Sequence, residues 1–280
     1  MPLKLMYITN DPDVALIAQK YGVDRVWIDL EKIGKGERQK GLDAVKSSHT
    51  VDDVRRIKPL LSASDMLVRV NKWYAGSEKE INDVIGAGAD IIMLPYWKTP
   101  DEVKNFIKTV GGRCKTTLLL ETKEAVECVD EVLEYGGFDE IHIGLNDLHL
   151  SYGLDFMFEP LTNGTVETLC EKFAAKGLPY GFGGIAKIGE GLVPAEIVML
   201  EHYRLGSTRA ILSRTFCDNA RFQDVREIDR VFKVNMQKFR EFENYAQNAS
   251  DEIRLQNRKK LVEDVRRVKE EIIREKGGAN

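Results

Sequence analysis

The sequence has no long hydrophobic run, no cysteine pair at metal-binding spacing and little net charge. Its apolar stretches fall short of the ~18 residues that a membrane-spanning helix needs, and its four cysteines lie far apart without a CxxC pair. We therefore expect no transmembrane segment, no zinc or disulfide framework, and free, buried thiols. The chain also starts without the basic, apolar and cleavage regions of a secretory signal, so we expect a cytoplasmic protein.

Charge and composition exclude further classes. A formal net charge of −4 disfavours a nucleic-acid or anionic-membrane surface. With 280 residues, 43% of them hydrophobic, the chain is long enough to bury a large core in one large domain or two smaller ones. The last sixty residues differ from the rest, because 27 of them are charged and they carry a net +3 against −7 for residues 1–220.

Short apolar segments alternate with amphipathic helical segments over about the first 216 residues. This alternation, with no long polar linker, predicts a (β/α)₈ barrel. A doubly wound open sheet is the alternative, but the Gly-rich fingerprint that such sheets carry after their first strand is missing. The predicted strands are 3–8, 24–30, 66–70, 90–95, 116–120, 139–144, 180–185 and 208–212, and the predicted helices are 11–21, 51–61, 78–86, 100–110, 122–135, 164–176 and 194–203.

Two long helices are expected at the C-terminal end of the chain. The second repeats apolar residues at 4-3-4 spacing on an otherwise charged helix, namely Leu261, Val265, Val268 and Ile272. We predict a barrel domain at residues 1–218 and a helical extension at 219–280 that packs on another subunit, giving a homo-oligomer. The alternative is the last helix of the barrel followed by a solvated extension.

Two acidic residues follow neighbouring predicted strands at the end where barrel enzymes carry their active sites. Glu121 and Asp147 each come directly after an apolar run. Adjacent parallel strands lie ~4.8 Å apart, so the two carboxylates repel each other unless a divalent cation joins them. Mg²⁺, Mn²⁺ or Co²⁺ suits such a pair, because carboxylates, waters and substrate oxygens complete its coordination. The alternative is that both acids are salt-bridged or simply exposed.

An arginine at the end of the third predicted strand adds a fixed positive charge. Arg69 offers a planar donor fork that matches a carboxylate or an enolate. Together with a metal acting as a Lewis acid, it predicts a site for a pyruvate-like 2-oxo acid that passes through a metal-stabilised enolate.

Several motifs in this order and spacing resemble the HpcH/HpaI aldolase and citrate lyase β-subunit family. The resemblance covers roughly residues 3–216, and four motifs in register make it fairly specific. It rests on the runs Ile28–Glu31, Leu67–Asn71, Leu118–Thr122 and Ile143–Leu148, together with Gly86–Pro95.

The resemblance implies a metal-dependent reaction that makes or cleaves a C–C bond next to a carbonyl. By its motifs, Glu121 and Asp147 would bind Mg²⁺ or Mn²⁺, and Arg69 would contact the oxo acid. Backbone amides near Leu145 and Asn146 would hold the substrate carboxylate. Family members are (β/α)₈ barrels, often trimers or hexamers that exchange a C-terminal helix.

One departure from the family concerns proton transfer. Aldolases of the family carry a histidine three residues after the aspartate that corresponds to Asp29, and Lys32 stands there instead. We predict that His49, on the loop after the second strand and with Asp29 or Glu31 nearby, moves the proton, because its ordinary pKa suits neutral pH. The alternative is a surface histidine at a helix start.

The remaining candidates are weaker. His142 and His202 are expected to pack in the core, and His149 could reach the metal. Trp97 belongs to an aromatic cluster after the third and fourth strands and is predicted to line the substrate pocket. Gly183 and Gly184, with Arg214, could cradle a phosphate group, for example one carried by the acceptor aldehyde. A Schiff-base mechanism would need one of three lysines near strand ends, Lys32, Lys72 and Lys187.

The sequence therefore predicts a metal-dependent aldolase or lyase whose partners are an oxo acid and an aldehyde. A citrate-lyase-like enzyme that acts on CoA thioesters is one alternative. A non-catalytic barrel that serves an assembly is the other, although such a protein would have no physical reason to keep two clustered acids.

Overall fold

Eight strands close into a barrel in chain order in this computed structural model, which describes residues 1–34, 48–213, 216–217 and 224–277. Neighbouring strands run parallel wherever their register is defined. The predicted barrel is confirmed and the open sheet is excluded. The strands are β1 Lys4–Ile8, β2 Arg25–Asp29, β3 Asp65–Arg69, β4 Ile91–Leu94, β5 Lys115–Leu120, β6 Glu140–Ile143, β7 Tyr180–Ile185 and β8 Arg209–Leu212.

The helices follow the strands as the sequence pattern predicts, except that the predicted helix 122–135 forms two helices and that two short helices, Leu145–Ser151 and Glu159–Thr162, were not predicted. Two helices begin with a capping pair, since Asp53 Oδ2 accepts the Thr50 N–H at 2.8 Å and Thr99 Oγ1 accepts the Glu102 N–H at 3.3 Å. The helices are α1 Pro12–Lys20, α2 Val51–Ile57, α3 Ser77–Gly86, α4 Pro100–Val110, α5 Lys123–Glu127, α6 Val129–Tyr135, α7 Leu145–Ser151, α8 Glu159–Thr162, α9 Thr165–Ala175, α10 Ala195–Arg204, α11 Val225–Gln247 and α12 Asp251–Gly277.

The chain divides into two compact units, the first of which comprises residues 6–120 and 124–141. Its strands are paired from β1 to β5. The register between β2 and β3 places Asp29 opposite Arg69 at their C-terminal ends. Large apolar side chains that are almost fully buried fill its core, among them Trp27 and Phe106.

The second unit comprises residues 1–5, 121–123 and 142–280 and includes β7, β8 and the two long helices. Phe216 packs edge-to-face on Phe232 of α11 with ring centroids 5.3 Å apart. The domain boundary predicted between 218 and 219 falls outside the described residues and stays a prediction. The helices beyond it pack within the same unit as β7 and β8.

The apolar stripe of α12 is covered within this chain. Leu261, Val265 and Val268 are 0%, 3% and 2% exposed, and Asn257 Nδ2 donates to the Ile197 carbonyl oxygen of α10 at 3.0 Å. The expectation that this stripe packs on another subunit is therefore wrong for these three residues, because α10 and its neighbours already bury them. Oligomerisation itself stays a prediction.

Two expectations from composition can be compared with the structure. Across the described ranges, no helix combines the length and the apolar character that crossing a membrane requires. The four cysteines are free, as predicted, but only Cys170 and Cys217 are fully buried, while Cys114 and Cys128 are half-buried.

Candidate active site

The C-terminal ends of β2 and β3 carry a charged cluster that includes three of the predicted residues. Arg69 donates from Nε and Nη2 to the two carboxylate oxygens of Asp29, both at 2.9 Å, and its Nη2 lies 3.4 Å from Glu31 Oε2. The guanidinium group also lies over the indole of Trp27, 4.9 Å from the ring centroid. Two carboxylates and an aromatic face therefore fix the orientation of the arginine.

The structure places His49 against the backbone of this cluster. Its Nδ1 accepts the Asp29 N–H at 3.0 Å, and the residue is buried. In this arrangement the neutral ring carries its proton on Nε2. His49 can accept a second proton at Nδ1 only by giving up the hydrogen bond to Asp29, so the geometry favours holding Asp29 over acting as a base.

Asn71 organises the segment that follows β2, a role that was not predicted from its position in the sequence. Its Oδ1 accepts the N–H groups of Lys32 and Ile33 at 2.8 and 2.9 Å, and its Nδ2 donates to Glu80 Oε1 at 2.7 Å. Burial raises the pKa of Glu80, and the hydrogen bonds from Asn71 oppose that rise. An asparagine two residues after the arginine that ends β3 was the available signal, whereas Glu80 lies on α3 and carried none.

Glu121 and Asp147 occupy the ends of β5 and β6. Glu121 is the first residue after β5, and Asp147 is the third residue of α7, which starts one residue after β6 ends. Their exposed fractions are only 3% and 9%. Their burial and their carboxylate chemistry are compatible with a cation site.

The donor chemistry of this pair fits magnesium better than zinc. Within the part of the chain that the structure describes, no three His, Cys, Asp or Glu residues cluster as metal ligands, whereas zinc normally takes three or four protein ligands. Mg²⁺ is commonly held by one or two carboxylates while waters and substrate oxygens fill the other positions. Two carboxylates are as many protein ligands as Mg²⁺ commonly takes, and the metal role of Glu121 and Asp147 stays a prediction.

Leu145 and Asn146, predicted to bind the substrate carboxylate through their amides, open helix α7. Gly144 precedes them and offers no side chain to cap the helix. Amides in a first helical turn have no partner within the helix and point outward, where an anion can meet them. Substrate binding by these two amides stays a prediction.

Gly183 packs against the start of α7 and is not part of a separate phosphate-binding loop. It has a φ of +51°, and a Cβ added there would lie 2.6 Å from Leu145 Cδ1. Its carbonyl oxygen accepts from His142 Nε2 at 3.1 Å. Glycine is needed at this position for a close approach between β7 and α7. Arg214, the predicted partner of a phosphate group, lies outside the described residues.

Trp97 is placed differently from its prediction. It is 0% exposed, so its indole lies in the core and presents no surface to a pocket. The preceding residue, Tyr96, has a φ of +50°, a backbone conformation that is rare for residues other than glycine. The predicted contact between Trp97 and the substrate is therefore wrong, because burial of a large aromatic surface determines its position.

The other histidines and lysines considered as candidates lie in different surroundings. His142 and His202 are fully buried, as expected, and His202 stacks on Phe182 with centroids 3.8 Å apart. Burial lowers the pKa of His149, which stays a candidate near the metal only as a prediction. A Schiff-base lysine needs burial to lower its pKa, but Lys32 is exposed and Lys187 pairs with Glu190 at 2.6 Å.

The comparison with known proteins agrees with the motifs. The family model for HpcH/HpaI aldolase/citrate lyase matches residues 4–157. A 2-keto-3-deoxy-L-rhamnonate aldolase from Escherichia coli (strain K12) is 28% identical over 102 residues, which are 36% of this chain and 37% of that enzyme. The chain thus matches little more than a third of the length of this relative.

Solved structures share the fold at low identity. An HpcH/HpaI aldolase/citrate lyase family protein from Burkholderia cenocepacia J2315 superimposes with a TM-score of 0.62 at 15% identity, covering 81% of this chain and 94% of that one. A citrate lyase beta subunit from M. tuberculosis, complexed with oxaloacetate and magnesium, gives a TM-score of 0.54 at 13% identity, covering 83% and 97%. The family model matches more than half of the residues of this chain, so the chain belongs to the HpcH/HpaI aldolase/citrate lyase family.

Proposed function

We propose that this protein is a divalent-metal-dependent aldolase or lyase that makes or cleaves a C–C bond next to the carbonyl of a pyruvate-like 2-oxo acid. The observation that carries this proposal is the pair of buried carboxylates, Glu121 directly after β5 and Asp147 in the first turn of α7, the helix that follows β6. Family membership supports the reaction class. The magnesium and oxaloacetate bound to the citrate lyase beta subunit support the ligand class by analogy.

Each residue of the candidate site is assigned one role. Glu121 and Asp147 hold the cation, which when bound supplies a Lewis acid for the oxygen atoms of the oxo acid. Arg69 donates to the oxo acid from a guanidinium group whose orientation Asp29, Glu31 and Trp27 fix. Preorganised donors of this kind stabilise developing negative charge without having to reorganise.

Proton transfer is assigned to Glu31 with His49 as its neighbour in the cluster. Both oxygens of Asp29 accept from Arg69, so a proton on Asp29 would replace one of these hydrogen bonds. Glu31 Oε2 lies 3.4 Å from Arg69 Nη2, and the Glu31 side chain is almost fully buried. His49 holds the Asp29 backbone and carries its own proton on Nε2.

The proposed partners are the oxo acid, an aldehyde acceptor and further copies of the chain. The stripe at Leu261 is covered, so self-association would use the other face of α12. Three apolar residues are exposed there, Leu255, Val262 and Ile273, at 58%, 42% and 45%. Light scattering of the purified chain tests this assembly.

The decisive experiment measures both metal binding and turnover. Purified protein is assayed for aldol addition and cleavage with pyruvate as donor, a set of aldehydes, and Mg²⁺, Mn²⁺ or Co²⁺. We expect Glu121→Gln and Asp147→Asn to abolish Mn²⁺ binding and lower kcat/KM by about a hundredfold or more. Glu134→Gln, at an exposed acid of α6, is the matched control and should change neither.

The alternatives give different outcomes. Turnover of acyl-CoA thioesters without turnover of free oxo acids would move the protein to the citrate-lyase type of reaction. Glu121→Gln with unchanged metal binding and turnover would refute the proposal. A folded wild-type chain that binds neither metal nor oxo acid would favour a non-catalytic assembly role.

A further inference from the structure

The segment that follows α7 is held together by one carboxylate. Glu159 Oε1 accepts the N–H groups of Asp155 and Phe156 at 2.9 and 3.0 Å. The Leu154 N–H donates to the His149 carbonyl oxygen at 2.9 Å and so joins this segment to the end of α7. Glu159 is 8% exposed, so its position is determined by these contacts and not by solvent.

Helix α12 contacts the same segment through three basic residues. Lys269 Nζ donates to Glu159 Oε2 at 2.6 Å, and Lys276 Nζ donates to Asp155 Oδ1 at 2.9 Å. Arg258 Nη1 donates to the Leu161 carbonyl oxygen at 2.6 Å. The contacts therefore extend over nearly five turns of α12, from Arg258 to Lys276.

These contacts differ in expected strength. Lys276 is exposed and Asp155 is partly exposed, so their ion pair should contribute little. Glu159 is mostly buried. Its Oε2 contacts Lys269 while its Oε1 accepts from two backbone amides, so the contact with Lys269 also stabilises the backbone that Glu159 holds. The pKa of Glu159 is lowered despite its burial, by hydrogen bonds from Lys269, Phe156 and Asp155.

We propose that α12 acts as a clamp on residues 152–162, in which Lys269 and Glu159 are positioning residues for the end of α7. Lys269 holds Glu159, Glu159 orders the backbone at Asp155 and Phe156, and this backbone continues into α7. The clamp itself does not depend on the proposed function. Only its consequence for Asp147, which lies on α7, rests on that proposal.

The test measures amide hydrogen exchange at Asp155 and Phe156 in the full chain. Lys269→Met keeps the aliphatic stem but removes the charge, and we expect it to raise exchange at these amides about tenfold. Lys269→Arg should leave exchange close to wild type. In Lys269→Met/Glu159→Gln, exchange should be no faster than in Glu159→Gln alone, because the lysine acts through the carboxylate.

Lys260, an exposed lysine of the same helix, provides the matched control, and Lys260→Met should leave exchange unchanged. Thermal unfolding shows whether each variant is folded. Unchanged exchange at Asp155 and Phe156 in folded Lys269→Met, or exchange that rises equally throughout the chain, would overturn the clamp.

A second readout separates the clamp from the proposed function. Lys269→Met should weaken Mn²⁺ binding several-fold while Lys269→Arg does not, because only the former frees the end of α7. If the wild-type chain binds no Mn²⁺, the proposed function fails but the exchange experiment still decides the clamp. If exchange rises and Mn²⁺ affinity does not change, the clamp holds and its link to Asp147 is refuted.

Discussion

The two ends of strand β2 carry the same type of ion pair in different surroundings. At its start, Arg25 forks onto Glu140, which also accepts from Thr117 Oγ1 at 2.7 Å, and both charged residues are at most 3% exposed. At its end, Asp29 pairs with Arg69, whose side chain is 11% exposed.

The difference lies in the number of carboxylates that contact each arginine. At the start of the strand, Arg25 contacts the carboxylate of Glu140, an arrangement that suits stability. At the end, Arg69 contacts two carboxylates, those of Asp29 and Glu31, in a mostly buried place. Such an arrangement is costly for folding and typical of a functional site. In barrels of this type, the strand ends carry chemistry and the strand starts carry stability.

Replacing the two arginines should separate these roles most strongly. Arg25→Met leaves Glu140 buried without its partner, so we expect a loss of about 3–5 kcal/mol in the free energy of unfolding. Arg69→Lys keeps a charge but loses the planar fork, so we expect a fall in kcat/KM of about a hundredfold or more with a much smaller loss of stability. Urea unfolding and steady-state kinetics measure the two effects.

A double variant provides the control. Arg25→Met/Glu140→Gln removes both charges and should recover part of the stability that Arg25→Met loses. The comparison breaks down if Arg25→Met lowers turnover per folded molecule as much as Arg69→Lys does, or if Arg69→Lys is the more destabilising change.

Two glycines on strand β7 allow the same comparison between the start and the end of a strand, here through packing. A Cβ at Gly181 would collide with the Arg209 carbonyl oxygen at the start of β8, and a Cβ at Gly183 would lie 2.6 Å from Leu145 Cδ1 at the start of α7. Both alanine variants should lose about 1–3 kcal/mol of stability. Only Gly183→Ala should also lower kcat, since Leu145 begins the helix that carries Asp147.

Equal activity of the two folded variants would show that α7 tolerates a displacement of Leu145. It would also show that the two ends of β7 do not differ in their contribution to function. Gly22→Ala is a useful control. An alanine would be strained at the φ of +82° that Gly22 adopts, but no atom lies near the added Cβ. It should cost stability without affecting turnover.

Hydrophobic periodicity was enough to predict the barrel, because each strand is a short apolar run and most helices keep their amphipathic pattern. Helix α7 escaped prediction for a local reason. Only Gly144 separates it from β6, it has only seven residues, and Gly144 offers no capping side chain. A segment of that length shows too little periodicity to be distinguished from a strand end.

Within the candidate site, residue types were predictable and contacts were not. The pairing of Asp29 with Arg69 follows from the register of β2 and β3. The burial of Trp97 and the hydrogen bond that occupies His49 Nδ1 depend on tertiary packing that one sequence does not reveal. The clamp from α12 connects residues about 110 positions apart, so no local pattern could indicate it.

The smallest effect is an acid sensitivity near the start of β8. His202 Nδ1 lies 2.8 Å from Ser207 Oγ, just before that strand. Burial, with a further contribution from His142, lowers the pKa of His202 to about 3 from its ordinary value of 6.5. Between these pH values the unfolded chain binds a proton that the folded chain does not, so stability falls as the pH falls below 6.5.

By pH 5.5 this single group should have removed about 1.4 kcal/mol of the stability present at pH 7.5. Urea unfolding of wild type and His202→Gln at both pH values measures it, because the difference between the two proteins cancels the other titrating groups. An equal pH dependence in both would show that His202 does not carry the effect. Because His202 lies next to the start of a strand, turnover per folded molecule should stay the same in His202→Gln. A loss of turnover would show that the strand starts, which we assign to stability, also contribute to function.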